Sequence, residues 1–415
     1  MDIRTAVFRA RRSGSRASKS WQVKKRHKTV FLPTALRVAA APAVLLCAFV
    51  ASSATAASSA SSSSATGSAA AACPGLAHAQ QQLAKYSAVP KFTTPGPPLS
   101  VKKLKGKLIF LIPAASTIPF NQILDNTAVQ VAKSVGVKLT VFENQGQPSQ
   151  WVQGVNEAIA EHASALIMTD IDPRTIAPQM TALHNAHIPV ILDSTYDQID
   201  KRFQSKSVAA SIPSPYHLAG ELVADSAIVA TNCQANVLYL QSAEFLNFQY
   251  ETPGVVAEFT KYCPTCDLTV VDVPFLDWAT QLQSDTTSAL LANPKINWVI
   301  PGVDAMYENV QPGIASTSRT GIQVSTFNGT PFALTDIATG TAVYSDAGEP
   351  LAWKAYATLD QTFRVLLGMK PVAENTPIRV FTKANVAAAG NPAAYTQGYG
   401  KSYVHGFLKL WGATK

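Results

Sequence analysis

Several patterns that announce chemistry are missing from this chain of 415 residues. It carries no G-x-S-x-G nucleophile turn, no H-E-x-x-H helix and no Walker phosphate loop. Serine-hydrolase, zincin and P-loop chemistry therefore lose their sequence signatures. The body also lacks an excess of basic charge. The formal charge is +8, yet residues 1–56 hold 11 of the 34 Lys and Arg and one of the 26 Asp and Glu. The rest has 23 basic against 25 acidic residues, a net −2. A near-neutral body offers no footing on a phosphate backbone, so no nucleic acid is expected as partner. No second C-x-x-C and no spaced histidine pair completes a zinc site. His184 and His187 stand three apart on an expected helix without a carboxylate and read as a solvated face. Neither metal nor cofactor is expected. No apolar run has membrane-spanning length: the strongest, 35–50, is short, Ala-rich and broken by Arg37 and Pro42.

What precedes and follows that run has the order of an export signal. A basic block at 4–28 comes first, then the apolar segment, then Ala54-Thr55-Ala56 as an A-x-A cleavage site. Residues 1–56 are expected to direct the protein out of the cytoplasm, to the periplasm or the cell surface. An uncleaved anchor and a lipid attachment at Cys47 or Cys73 stay open as alternatives. The mature part then holds Cys73, Cys233, Cys263 and Cys266, which allow three full pairings. Cys263-Pro-Thr-Cys266 has the spacing of a redox pair, but it sits between an expected helix end and a strand, whereas thioredoxin-type motifs open a helix. A structural disulfide between Cys263 and Cys266 is the expectation, with a thiol oxidoreductase as the rival. Ser and Ala dominate 58–72, and prolines 89–99, so 57–104 reads as a tether and extended connector with a short helix at 76–86.

The folded part organises around 106–147. An apolar run at 108–112 suits a strand buried on both faces. A polar turn follows, then a helix with Leu124, Ala128, Val131 and Val135 on one side; Gly136 stops it and a second strand runs through 137–142. The turn carries Pro119, Phe120 and Asn121 in place of a glycine-rich loop, which makes a side-chain wall for an uncharged ligand at the end of a strand. Downstream, strands and helices alternate, with helices at 148–161, 176–186, 215–229, 253–262, 279–291 and 351–367. Such alternation implies parallel sheets covered by helices on both faces.

Seven segments in order carry a resemblance over about 105–382. They are Ile112 with Ile118-Pro119-Phe120; Gly136-Val137 with Phe142; His187-Ile188-Pro189-Val190-Ile191-Leu192-Asp193; Trp278; Val303-Asp304-Ala305-Met306; Phe327-Asn328-Gly329-Thr330-Pro331; and Leu366-Leu367-Gly368-Met369-Lys370-Pro371. With them the chain resembles the type I periplasmic-binding-protein family, in its ribose- and sugar-binding branch. That resemblance implies an α/β fold of two doubly wound parallel-sheet lobes joined by three hinge crossings, placed near Ser211, Ala347 and Pro371. The first lobe would take 105–211 plus 347–371, the second 212–346 plus 372–384, and 385–415 a tail helix packed on the outside. It further implies a monomeric, non-enzymatic solute-binding protein that delivers a sugar-like ligand to an ABC permease in the membrane. A sensor component feeding a receptor shares that fold.

A polyol asks for short polar groups that fix its hydroxyls and for flat apolar rings against its C–H faces. Phe120, Asn121, Asp193, Trp278, Asp304, Phe327 and Asn328 fall at strand ends and supply both. Each has a structural alternative: core packing for the phenylalanines, capping or ion pairing for the acids and Asn328. Tyr344 and Asp346 are weaker candidates, and Asp170 and Asp172 read as turn formers. Against the ribose pattern, Ser194 stands where an Arg is expected, Phe248-Gln249-Tyr250-Glu251 holds no Arg, and Pro213-Ser214-Pro215-Tyr216 replaces an Asp-Asn. Val303 replaces an Asn. Losing arginine's five donors removes much polyol recognition, so the expected ligand is not ribose and is less hydroxylated or partly apolar.

Overall fold

The computed structural model describes residues 5–8, 73–198 and 205–414. The expected cleavage site and low-complexity stretch lie outside them. The described chain begins with a four-residue strand, β1 (Thr5–Phe8), and helix α1 (Leu76–Ser87).

The first lobe is built from β2 (Leu108–Pro113), α2 (Pro119–Ser134), β3 (Lys138–Val141), α3 (Pro148–Ala160), β4 (Ala165–Thr169), α4 (Ala177–Asn185), β5 (Val190–Asp193) and β6 (Val208–Ile212). Its five strands run in the order β3-β2-β4-β5-β6, every pair parallel. Alternate side chains of these apolar strands feed two cores. Ile109, Leu111, Ile167 and Ile191 pack on one face, while Phe110, Ile112, Leu166, Met168 and Leu192 pack on the other. That is why the runs are continuously apolar rather than alternating.

The second lobe follows with α5 (Tyr216–Thr231), β7 (Asn236–Gln241), α6 (Leu246–Tyr262), β8 (Asp267–Asp272), α7 (Trp278–Ala292), β9 (Trp298–Pro301), α8 (Asp304–Ala315), β10 (Gln323–Asn328), α9 (Pro331–Thr339) and β11 (Val343–Gly348). The strand order is β1-β8-β7-β9-β10-β11-β12, where β12 is Arg379–Thr382 and the edge pairs β1–β8 and β11–β12 are antiparallel. In both sheets the first strand of the lobe has the second on one side and the third on the other. Strand order reverses there, which opens a crevice beyond the carboxyl ends of the strands.

The chain passes between lobes at 213–215, again at Glu349 and Pro350 before helix α10 (Leu351–Leu366), and a third time between α10 and β12. Two further passages come from the ends of the folded chain. Helix α1 packs against α5, α6 and β12, and the proline-rich 89–99 then runs to the first lobe, where Phe92 meets Trp353 and Phe407. Arg364, buried and paired with Asp360 at 2.6 Å, holds that connector by donating to the carbonyls of Pro95 (2.7 Å) and Pro97 (3.0 Å). So 76–104 belongs to the folded body instead of a tether. The last helix, α11 (Ser402–Leu410), likewise enters the first lobe's core: Trp411 is fully buried and its Nε1 donates to Asp360 Oδ1 at 2.7 Å. The tail expected on the outside is a core element, because its Tyr403, Phe407 and Trp411 form an aromatic stack with Tyr356 and Trp353.

Candidate functional site

The carboxyl ends of both sheets face a narrow cavity between the lobes. The first lobe lines it with Ala114, Ile118, Phe120 and Asp170; the second with Phe245, Asn247, Phe248, Trp278, Val303 and Asn328; and Tyr216 at the first crossing completes the wall.

The β2–α2 turn is held open by side chains. The carbonyls of Pro113, Ala114 and Ala115 accept, in order, from Asn144 Nδ2 (2.8 Å), Trp151 Nε1 (2.9 Å) and Asn121 Nδ2 (3.0 Å). Three consecutive carbonyls are thus satisfied without a sheet partner, and the turn is fixed before any ligand arrives. Pro119 then starts α2 and sets Phe120 at the rim, buried except toward the cavity. Asn121 therefore braces the turn and does not line the cavity.

Asp170 follows β4 with φ +58°, and Asn328 ends β10 with φ +135°. Both are non-glycine residues in sparsely populated backbone regions, a form of strain that concentrates where binding residues are aimed. Asp170 Oδ1 accepts from Tyr216 Oη at 3.0 Å, and the same hydroxyl makes a short bond to the carbonyl of Ser194, so Tyr216 joins β4, β5 and α5. Burial raises the Asp170 carboxyl from 3.8 to about 8; the bond from Tyr216 and the charge of Lys354 oppose the rise, while Asp193 and Glu349 add to it. The rise favours the uncharged acid, a form that can both donate and accept. Expected as a turn former, Asp170 is placed by the structure in the cavity wall.

Trp278 opens α7. Its Nε1 donates to Ser242 Oγ (2.7 Å) and to Val273 O (3.2 Å), and Phe275 meets its ring edge-on at 5.0 Å. The indole is thereby locked with one surface left to the cavity. Asn247 and Phe248 come from the first turns of α6. That helix begins at Leu246 and carries Pro253 in its interior, whereas 253 was the expected start. Among the described residues Asn247 Oδ1 receives no hydrogen bond although it is buried.

Four of the expected residues lie off the cavity. Asp193 is buried and used up: Thr358 Oγ1 donates to one oxygen at 2.6 Å, Ser194 Oγ to the other at 2.9 Å, and Lys354 Nζ stands 3.9 Å away. Asp304 accepts from the backbone N–H (2.8 Å) and hydroxyl (2.6 Å) of Thr330, fixing the entry to α9. Phe327 is fully buried one layer behind, edge-on to Tyr216 at 5.9 Å. Asn121 is the fourth. Phe120, Trp278 and Asn328 line the same cavity.

The arrangement can sandwich a small neutral molecule between rings of the two lobes and meet its polar atoms with a carboxyl and two amides. Known proteins share this architecture. A profile described as periplasmic binding protein domain matches residues 109–370. The D-apiose import binding protein of Actinobacillus succinogenes is 23% identical over 273 residues, which is 61% of this chain and 85% of that protein. A solute-binding protein of an ABC transporter from Agrobacterium vitis, solved with α-D-tagatopyranose, superposes with a TM-score of 0.60 at 20% identity, covering 68% of this chain and 96% of its own. A sugar ABC transporter protein of Yersinia enterocolitica reaches 0.64 at 14% identity, over 77% of this chain and 99% of its own.

Proposed function

The chain belongs to the periplasmic binding protein domain family, and on that premise we propose that it captures a sugar or related polyol between its lobes and hands it to the permease of an ABC importer. The observation that carries this reading is the pairing, across one cleft, of Phe120 and Asp170 from the first lobe with Trp278, Phe248, Asn247 and Asn328 from the second. Rings on both sides suit the C–H faces of a saturated ring, and the amides and neutral carboxyl suit hydroxyls. The names of the relatives, an apiose import protein and a tagatopyranose-bound solute-binding protein, support the sugar class and import rather than sensing. The protein binds its solute without transforming it. It works outside the cytoplasm as a monomer, and we read the stretch before Cys73 as its signal and tether, so that β1, paired with β8 here, leaves the sheet when the signal is removed. Among the described residues no helix is long and apolar enough to cross a membrane.

Capture is hinge closure. A ligand touching both lobes stabilises the closed arrangement by its differential affinity, and the permease then meets a changed surface. Val303 and Tyr216, which stand where more polar residues were expected, both line the cavity. They favour a ligand with fewer hydroxyls or with one apolar edge. Titration calorimetry of the purified protein against pentoses, hexoses, branched sugars and short polyols tests this. One-to-one binding of at least one is expected, and silence across the whole set would refute the sugar assignment.

A further inference from the structure

Away from the cleft, the second lobe gathers three groups that sugar capture does not use. His78 on α1, Asp225 on α5 and Glu258 on α6 each place a donor atom within 4.8 Å of the others. The glycines of α5 and α6 explain the proximity. A Cβ on Gly220 would stand 2.3 Å from the carbonyl oxygen of Glu251, and one on Gly254 2.2 Å from that of His217. The two backbones approach more closely than any side chain would allow. About one turn further on, Asp225 and Glu258 are pressed together.

Helix α1 closes over this pair. Its start is bonded to the lobe through Cys73–Cys233. The His78 ring stacks on Tyr262 at 3.7 Å with the planes 8° apart, and His78 Nε2 lies 2.9 Å from Glu258 Oε1. Asp225 is wholly buried. Among the described residues, the Asp225 oxygens meet no donor beyond the Glu258 carboxyl they lie against, and Glu258 Oε1 meets only His78 Nε2. Two buried carboxyl groups in contact are therefore short of positive charge. Burial first, and then the neighbouring Glu258, push Asp225 up to about 9.

We propose that His78, Asp225 and Glu258 form a binding site for a first-row divalent cation, Zn2+ in the first instance, which clamps helix α1 to the second lobe. One imidazole and two carboxylates are a donor set that suits Zn2+, whereas Ca2+ and Mg2+ prefer all-oxygen shells. Ligand atoms about 2.0–2.2 Å from the metal stand roughly 3.3–3.5 Å apart, so side-chain rotation must draw the widest pair inward. The Tyr262 ring stacked on His78 restricts rotation of the imidazole. The His78 side chain is 31% exposed, which gives the ion a path in and leaves a fourth position for water. Carboxylate and imidazole ligands bind a metal in their deprotonated forms, so its affinity falls as pH is lowered. Helix α1, with His78, lies before the stretch matched by the family profile, 109–370, whereas Asp225 and Glu258 lie within it.

The test uses the full chain without a polyhistidine tag, stripped with chelator and titrated with Zn2+, Mg2+ or Ca2+. Metal content is expected to reach one Zn2+ per chain, and Tm to rise by several degrees with Zn2+ alone. Asp225→Asn and His78→Gln preserve shape and are each expected to unfold cooperatively and to lose at least tenfold in Zn2+ affinity. Absence of stoichiometric Zn2+ binding, an equal shift with Mg2+ or Ca2+, or full affinity retained by either variant overturns the site. Sugar affinity measured on the same samples keeps this result separate from the cleft assignment.

Discussion

Lys354 Nζ stands 3.0 Å from Glu349 Oε1, and both side chains are completely buried where the chain leaves β11 for α10. The same ammonium reaches Ser214 Oγ in a short bond, lies 3.5 Å from Pro213 O in the first crossing, and stands 3.9 Å from Asp193 Oδ1. One cation thus ties two of the passages between lobes to the floor of the first sheet. Replacing it leaves buried carboxylates without their countercharge. Lys354→Met is expected to lower unfolding stability by about 3–5 kcal/mol in a urea titration. A loss under about 1 kcal/mol would show that the crossing does not depend on this ion pair.

Asp170 is expected to give the cleft a pH response. Its folded-state value of about 8 lies above its ordinary 3.8, so the folded protein holds a proton the unfolded chain has released. The group's contribution to stability is present in full below about 3.8 and is lost as pH rises through about 8. Ligand affinity is expected to change over the upper end of that window, as a donor becomes an anion. Asp170→Asn should keep neutral-pH affinity within about threefold and flatten the profile. Tyr216→Phe removes a bond that lowers the Asp170 value, so the midpoint should move upward. Calorimetry from pH 6 to 9 reads both; an unchanged profile in Asp170→Asn would remove Asp170 from the response.

Trp278 serves both core and cleft. Trp278→Ala is expected to cost about 3–5 kcal/mol of stability through lost packing and to weaken ligand binding by about tenfold or more through lost ring contact. Unfolding should stay cooperative. Phe327→Leu, one layer behind, should weaken binding much less, and equal losses in the two variants would deny the indole a direct contact.

The cysteine pairing is expected to be Cys73–Cys233 and Cys263–Cys266. Peptide mapping without reductant checks it directly. Because the first bond closes a loop of 160 residues, the double variant Cys73→Ser/Cys233→Ser should lose about 3–5 kcal/mol. Free thiols at Cys263 and Cys266 in the native protein would instead revive the redox alternative.

The two-sheet plan was legible in the chain because it rests on local patterns: apolar runs such as 108–112, helical spacing such as Leu124, Ala128 and Val131, and strict alternation of the two. Phe120 and Trp278 were legible as cleft-lining residues for a related reason, since each sits at a helix start a short loop beyond a strand end. Asn247 and Phe248 were hidden by Pro253, which looks like a helix start but lies inside α6. Asp170 was hidden by Asp172, which does form a turn, accepting from the Arg174 backbone N–H at 2.9 Å.

By itself, then, the sequence determined which segments become strands and helices and that their carboxyl ends carry rings and short polar groups. Tertiary structure alone decided which of those groups face the cleft. Asp193 is consumed by Thr358 and Lys354, which lie more than 150 residues further along the chain, while Asp170 keeps a surface toward the cavity. A carboxylate's role depends on which distant donors reach it first, and those distances exist only once both lobes, α1 and α11 have packed.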